Sequence, residues 1–238
     1  MPTRHSDHLL LIAARNPVAG ETKTRLGATI GMSCAAQLYR AFLHDLAGRF
    51  ASDAVTYDVG WAYTPESHPF HAIISAIRPD IDVDRTHFVR QEGGDWAIRQ
   101  ASLLRWGAEQ GYAATVLTAS DSPHMTRTVV NQAFSALETS DVVLGRVHDG
   151  GYYLVGVRGF HDVISGVPMS TASAATDVML RAEENGLTVA FVEPTFDVDV
   201  ESDLDYLVDI CRTDPEAAPT TCQALHDLGL MARIAERR

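Results

Sequence analysis

The chain has 238 residues and a formal net charge of −12, from 19 basic and 31 acidic residues. Its apolar fraction of 46% is that of an ordinary globular protein, and the acidic balance argues against a main function in binding nucleic acid. The simplest prediction is one domain over residues 1–238, in which 211–238 form a C-terminal helical tail.

Apolar runs and helical periodicity alternate along the chain. The predicted strands are 8–14, 54–63, 86–90, 113–119, 141–147, 152–157 and 188–193. The predicted helices are 32–50, 66–77, 93–111, 127–137, 171–185 and 201–211, with one more in 214–238. This alternation predicts a three-layer α/β/α, Rossmann-like, mostly parallel sheet. The strands 141–147 and 152–157 lie too close in sequence for a parallel crossover, so we expect one antiparallel strand.

The cysteines and the first apolar run bear on the compartment. Cys34, Cys211 and Cys222 lack metal-type spacing and predict reduced thiols in the cytoplasm. The run 9–14 is too short for a signal sequence or a membrane span, so no membrane association is expected. Nothing in the sequence indicates an oligomeric state.

The loop after the first strand is the first candidate site. It carries Arg15, Lys23 and Arg25, and Lys23 is the single lysine of the chain. Ligands of open α/β sheets bind beyond the carboxyl ends of strands, and such a group of cations suits a polyphosphate. The alternative is a solvated basic loop, since no Walker A pattern is present.

Three aspartates are candidate ligands of a metal ion. Asp121 directly follows the buried strand 113–119, and alternation places Asp197 and Asp199 on one face. Carboxylate oxygens suit Mg²⁺, although Asp121 could instead brace the turn at Pro123. The later acids Glu201, Asp203 and Asp205 have a simpler interpretation as the solvated start of a helix.

Two glycine-containing segments are weaker candidates. Residues 149–151 read Asp-Gly-Gly between two strands, which is typical of a hairpin turn but also lets backbone N–H groups approach a ligand. Residues 91–95 place a glycine pair before a helix, which is common in any α/β protein.

Taken in order, these segments resemble one family. The chain has T-K-T-R-L at 22–26, Q-x-G-G-D at 91–95, S-D-x-P at 120–123, D-G-G-Y-Y-L at 149–154, Ser170-Thr171, and D-V-D at 197–199. The pattern resembles the radical-SAM/selenodomain-associated, glycosyltransferase-like transferases. That family is related to the guanylyltransferase that activates phospholactate or phosphoenolpyruvate in deazaflavin cofactor biosynthesis. The resemblance runs from about residue 9 to 207 and implies a nucleotide-diphospho-sugar transferase fold of the GT-A type.

The resemblance also implies roles for individual residues. Catalysis would involve Lys23, Arg25 and Asp121. The nucleotide would contact Ala13, Ala14, Arg15, Asn16, Lys23, Arg25, Gly94 and Asp95. The acceptor would face Asp149, Gly150, Gly151, Tyr152, Ser170 and Thr171. Mg²⁺, or Mn²⁺, would be held by Asp121, Asp197 and Asp199.

The leading hypothesis is a Mg²⁺-dependent nucleotidyltransferase. An anionic phosphate, phosphonate or carboxylate acceptor would attack an NTP, possibly GTP or CTP, and release pyrophosphate. Such an acceptor needs no general base, which fits the lack of a His or Ser dyad. The first alternative is a glycosyltransferase that uses a nucleotide sugar, and the second is a non-catalytic nucleotide-binding protein.

Overall fold

The computed structural model describes residues 2–51, 53–64 and 69–237. Its strands are β1 (His8–Arg15), β2 (Asp58–Thr64), β3 (Thr86–Arg90), β4 (Ala114–Ala119), β5 (Val142–Val147), β6 (Tyr152–Arg158) and β7 (Val189–Thr195). Its α-helices are α1 (Thr24–Ile30), α2 (Met32–Arg49), α3 (Phe70–Ile77), α4 (Trp96–Glu109), α5 (Arg127–Leu137), α6 (Ala174–Glu184), α7 (Asp203–Thr213), α8 (Pro219–Asp227) and α9 (Leu230–Arg237).

Within these described ranges, the strands form one seven-stranded sheet in the order β3-β2-β1-β4-β6-β5-β7. β1 pairs parallel to both β2 and β4, while β6 runs antiparallel to both β4 and β5. The short connection over residues 148–151 forces this reversal, because a parallel return needs a crossover of a dozen or more residues. The predicted fold, a mostly parallel sheet with one antiparallel strand, is confirmed.

Apolar residues on both faces of β1 produce two cores. Leu10 and Ile12 pack under α2 and the other helices of one face, and Leu9 and Leu11 pack under α4 and α6 on the other. All four side chains are fully buried, and each such burial contributes roughly 2 kcal/mol. Because the sheet is covered on both sides, its open edge at the strand ends is where a ligand can enter.

Apart from shifts of two or three residues at the ends of α4, α6 and α7, the helices differ from the sequence prediction in three places. Helix α1 was not predicted, because its cationic first turn has no capping side chain and Gly31 ends it after seven residues. The tail forms two helices rather than one, since Gly229 adopts a left-handed φ of 69° between α8 and α9. The predicted helix 66–77 begins at Phe70 in the structure, and its predicted residues 66–68 lie outside the described residues.

The expectation of three reduced thiols is wrong for two of them. Cys211 on α7 and Cys222 on α8 form a disulfide, with their Cα atoms 5.4 Å apart, while Cys34 is a free thiol. Sequence spacing could not reveal this pair, because the turn between α7 and α8 brings the two residues together. The cytoplasmic location therefore stays a prediction. Among the described residues, none of the helices combines the length and the apolar character that crossing a bilayer requires.

Candidate functional site

A cleft of about 580 Å³ opens at the carboxyl ends of β1, β4 and β5. Its walls come from loops that are far apart in the sequence. The predicted site residues that line it are Ala13, Ala14, Arg15, Lys23, Arg25, Asp121, Asp149, Gly151, Tyr152, Ser170, Thr171, Asp197 and Asp199. The fold thus brings most of the candidates, from five separate motifs, into one cavity.

Lys23 lies at the centre of an acidic cluster in this cleft. Its Nζ is 2.6 Å from Asp121 Oδ1 and 3.0 Å from Asp199 Oδ1, and it donates to the carbonyl oxygen of Val198 at 2.8 Å. The Lys23 side chain is 6% exposed. All three protons of the ammonium therefore have protein acceptors, and a phosphate could reach this group only by replacing one of them.

The electrostatics of Lys23 follow from this arrangement. Burial by itself would lower the pKa of Lys23, but the negative charges of Asp121 and Asp199 outweigh it and raise the pKa above its ordinary value. The ammonium is therefore a permanent positive charge. The sequence hypothesis placed Lys23 against a triphosphate, whereas the structure shows it paired with carboxylates.

The backbone at Lys23 is held in an uncommon conformation. Lys23 has φ 48° and Ser170 has φ 60°, and in the described ranges these are the two non-glycine residues with positive φ. Such a conformation costs a non-glycine residue about 1–3 kcal/mol and persists where the surroundings enforce it. Both residues border the cleft, so the local strain coincides with the candidate site.

The D-V-D segment is fixed to the Asp121 loop by the backbone. Val198 N–H donates to the Asp121 carbonyl at 3.0 Å. The segment is not a strand, however, and its two aspartates take different partners. Asp197 accepts from Ser122 Oγ at 2.6 Å, while Asp199 binds Lys23 and Arg25. The strand conformation behind the prediction is therefore absent, but Asp197 and Asp199 do border the same cleft, as predicted.

The acids after this segment have structural roles that the sequence did not predict. Asp203 accepts the N–H groups of Asp199 and Val200, both at 2.8 Å. Glu201 pairs with Arg233 of α9 at 2.8 Å, and Asp205 pairs with Arg237. The predicted helix start is confirmed, since Asp203 and Asp205 lie in the first turn of α7. These acids are not merely solvated, however, because Asp203 and Glu201 anchor the segment that carries Asp197 and Asp199.

The carboxylates have the chemistry of a divalent cation site. Burial and, to a lesser extent, the charge of Asp121 raise the pKa of Asp197. The three carboxylates of Asp121, Asp197 and Asp199 outnumber the cations Lys23 and Arg25 beside them. Hard oxygen ligands with excess negative charge suit Mg²⁺, so the residues fit the ion. Among the described residues, no three acidic, imidazole or thiol side chains surround a common metal position, because Lys23 lies between Asp121 and Asp199.

Four predicted residues lie outside the cleft lining. Asp95 caps α4 by accepting the Ile98 N–H at 2.9 Å, and Gly94 precedes it. Asn16 is 2% exposed, and neither atom of its side-chain amide has a hydrogen-bond partner in the described part of the chain. Gly150 packs against the backbone of Ala172. These residues influence the site only through the helix or loop to which they belong.

Several lining residues were not predicted. Tyr39 Oη accepts the Arg15 N–H at 3.0 Å and lies 2.7 Å from Ser120 Oγ, so it connects two edges of the cleft. Its helical periodicity indicates only a core position. Other lining residues that we missed include Gln91, Trp96, Arg99, Gln100 and Met169. For Gln91, the Q-x-G-G-D motif at 91–95 was the signal in the sequence that could have indicated a place in the site.

Gly150 is the point of contact between the two segments that carry the predicted acceptor-binding residues. This residue has φ 90°, and a Cβ added there would lie 1.9 Å from the Ala172 carbonyl oxygen. The N–H of Ala175 also donates to the Gly150 carbonyl at 3.1 Å. The β5–β6 hairpin and the segment 170–175 therefore touch backbone to backbone, which places Tyr152 and Thr171 in the same wall.

Gly150→Ala is expected to lower the free energy of unfolding by about 2 kcal/mol, because both the left-handed φ and the close carbonyl reject a side chain. Urea denaturation measures this effect. Gly94→Ala is the matched control, since Gly94 has no positive φ and nothing lies within 4 Å of an added Cβ. Equal stability of the two variants would contradict the backbone contact.

Comparisons with known proteins agree with this fold. Residues 70–171 match the family described as "Uncharacterized protein conserved in bacteria (DUF2064)". This range contains Asp121, the β5–β6 hairpin and Ser170-Thr171, but neither Lys23 nor the segment 197–199. A search of the curated proteins gives no significant match.

Solved structures extend the comparison over the whole chain. A crystal structure from Desulfovibrio desulfuricans G20, provisionally assigned as a nucleotide-diphospho-sugar transferase, has 27% identity and a TM-score of 0.85, over 96% of this chain and 97% of that chain. 4-Diphosphocytidyl-2C-methyl-D-erythritol synthase from Anaerococcus prevotii DSM 20548 has 10% identity and a TM-score of 0.54, over 85% and 94%. CMP:2-keto-3-deoxy-manno-octonic acid synthetase complexed with CTP has 12% identity and a TM-score of 0.50, over 88% and 100%. The chain therefore has the nucleotide-diphospho-sugar transferase fold.

Proposed function

We propose that this protein is a nucleotidyltransferase that transfers NMP from an NTP to a small anionic acceptor. The observation that carries the proposal is the convergence of Lys23, Asp121, Asp197 and Asp199 at the carboxyl end of the sheet. Two proteins that share the fold are named as a CTP-bound synthetase and a diphosphocytidyl synthase. The similarity to the Desulfovibrio desulfuricans crystal structure supports a transferase of nucleotide substrates.

The chemistry that we propose is an in-line displacement. An anionic oxygen of the acceptor forms a bond to the α-phosphorus, and the bond from that phosphorus to the bridging oxygen of the β-phosphate breaks. Pyrophosphate then leaves with the bonding electrons. Since the acceptor is already ionised, the protein has to position both reactants and neutralise charge.

The proposed roles follow the geometry of the cleft. Arg25 is 70% exposed and can turn from Asp199 toward a phosphate, while Lys23 contributes a fixed positive charge. Asp121, Asp197 and Asp199 would hold Mg²⁺ or Mn²⁺, which supplies charge neutralisation for the phosphates. Ala13 and Ala14 line the adjoining wall, where we place the nucleotide, and Tyr152 and Thr171 line the wall that we assign to the acceptor.

The test is an incubation of the protein with each NTP, MgCl₂ and a panel of phosphate, phosphonate and carboxylate acceptors. We expect pyrophosphate release with one NTP, and the family resemblance makes GTP and CTP the first two to examine. Chelation of the metal by EDTA should stop the reaction. No release with any pair, together with no NTP binding by calorimetry, would contradict the proposal.

A glycosyltransferase is the second candidate, and the name of the Desulfovibrio desulfuricans protein favours it. It predicts tighter binding of a nucleoside diphosphate or nucleotide sugar than of the NTP. A thermal-shift comparison of these ligands, each with Mg²⁺, separates the two functions. A protein that binds nucleotides but transfers nothing would instead match the non-catalytic alternative.

A further inference from the structure

A second group of charged residues lines the cleft and takes no part in the Lys23 cluster. Arg15 is the last residue of β1, and Arg99 lies near the start of α4. Alternation along β1 points Arg15 to the same face as Leu11 and Ala13, which pack in the core beneath α4. Both arginines line the cleft, so two guanidinium groups approach it from one side.

Neither arginine has an acidic partner. In the described part of the chain, no carboxylate lies within salt-bridge distance of Arg15 or Arg99, and their guanidinium groups donate no hydrogen bond. The Nε of Arg99 is buried without a partner. Its guanidinium carbon lies 5.6 Å from the centre of the Trp96 ring, a contact that orients the group but supplies no negative counter-charge.

The two charges also act on each other. Burial lowers the pKa of Arg99, and the charge of Arg15 lowers it further, while Asp95 opposes the shift. Asp95 already accepts the Ile98 N–H as the cap of α4. A buried donor and two cations that repel each other are arrangements that an anion would relieve.

We infer that Arg15 and Arg99 form an anion-binding subsite for a second negatively charged group of the acceptor. This inference rests on the proposed nucleotidyl transfer. One anionic oxygen of the acceptor attacks the nucleotide, and a separate carboxylate or phosphate of the same molecule binds the arginine pair. The acceptor is thus a small dianionic compound. Arginine forks suit carboxylate and phosphate alike through paired N–H donors.

The arrangement explains why one cleft holds two cationic centres. The Lys23 ammonium is saturated by Asp121, Asp199 and the Val198 carbonyl, so it cannot also hold a remote group of the acceptor. Arg15 and Arg99 are uncommitted. Buried Gln100 lies beside Arg99 in the same wall, and its Nε2 contacts Met169 Sδ at 3.6 Å, which joins the subsite to the acceptor segment.

The experiment measures binding of inorganic phosphate and of malonate by calorimetry at constant ionic strength, for the parent protein and for Arg15→Gln and Arg99→Gln. Each substitution should raise the Kd of the preferred anion about tenfold or more, because a hydrogen bond to a charged group is lost. The anion that binds more tightly tells whether the subsite takes a phosphate or a carboxylate. Arg99→Lys, which keeps the charge but loses the fork, should fall between Arg99→Gln and the parent.

Arg105→Gln is the matched control. Arg105 lies on the same helix, is exposed, and stacks over Phe160 outside the cleft lining. It should bind both anions as the parent does. Equal weakening in Arg105→Gln would mean a general effect of net charge and would overturn the subsite, as would unchanged anion binding in Arg15→Gln and Arg99→Gln.

Nucleotide binding separates this inference from the proposed function. The Kd of Mg–GTP or Mg–CTP should stay within about twofold of the parent in both arginine variants. A tenfold loss of nucleotide affinity with anion binding unchanged would assign the arginines to the nucleotide and overturn the inference. A parent protein that binds malonate or phosphate through these arginines but no nucleotide would keep the anion subsite and remove the proposed reaction. A parent protein that binds nucleotide but neither anion would keep the proposed reaction and overturn the anion subsite.

Discussion

Lys23→Met is expected to lower the melting temperature by roughly 5 °C in the absence of divalent ions. The substitution keeps an unbranched side chain that is one atom shorter, and it removes the cation from between Asp121 and Asp199. Removing one partner of a charge cluster leaves the others unpaired, and partial exposure of the two aspartates limits the cost to about 2 kcal/mol. Differential scanning calorimetry in EDTA measures the change.

Divalent ions should then restore the lost stability. With the ammonium gone, the carboxylates keep their excess negative charge, and Mg²⁺ or Mn²⁺ can take the position between them. We expect 10 mM MgCl₂ to raise the melting temperature of Lys23→Met by several degrees and that of the parent by much less. Pyrophosphate release by the variant should nevertheless be abolished, because the cleft loses the fixed positive charge that we propose helps to neutralise the phosphates.

Arg25→Met is the matched comparison for stability. Arg25 pairs with the same Asp199, at 2.5 Å, but its side chain is 70% exposed, and surface ion pairs contribute little. Its melting temperature should stay within about 2 °C of the parent. If Lys23→Met melts like Arg25→Met and gains nothing from MgCl₂, the lysine does not neutralise this cluster.

Asp121→Asn is expected to reduce the rate of pyrophosphate release at least about 100-fold, with little loss of stability. The amide retains an oxygen that can accept from Lys23, and Lys23 also keeps Asp199 and the Val198 carbonyl. The reaction rate is expected to fall because a neutral amide binds Mg²⁺ weakly, so that the charge that develops in the reaction is poorly stabilised. Steady-state kinetics over a range of MgCl₂ concentrations, alongside urea denaturation, measures both effects.

Glu92→Gln provides the control for Asp121→Asn. Glu92 is exposed and lies outside the cleft lining, in the loop before Gly93 and Gly94, so the same loss of one negative charge should leave the rate unchanged. Pyrophosphate release by Asp121→Asn within about threefold of the parent would remove Asp121 from the catalytic machinery.

The sheet was predictable because its signals are local. The continuous apolar run of β1 and the short gap between β5 and β6 each determine a feature of the topology without knowledge of distant residues. Helix α1 was missed for the opposite reason. Its start is set by the left-handed conformation of Lys23, which the interactions with Asp121 and Asp199 help to hold, and these partners lie far away in the sequence.

The members of the site were predictable as motifs, but their pairing was not. Lys23 suggests a phosphate ligand when only its own loop is considered, because the sequence does not reveal that Asp199, 176 positions later, reaches its ammonium. Tyr39 and Arg99 were missed because their spacing on helices indicates packing. Their polar ends at the cleft became visible only when the helices were placed on the sheet.

The salt bridge between Glu201 and Arg233 links the C-terminal helix α9 to the segment that borders the cleft. Arg237 also pairs with Glu201, so two arginines of α9 bind a residue that lies two positions after Asp199. Helix α9 therefore helps to hold the segment that carries Asp197 and Asp199 in place. Substitutions in α9 that remove these ion pairs are therefore expected to shift the segment 197–199 at the border of the cleft.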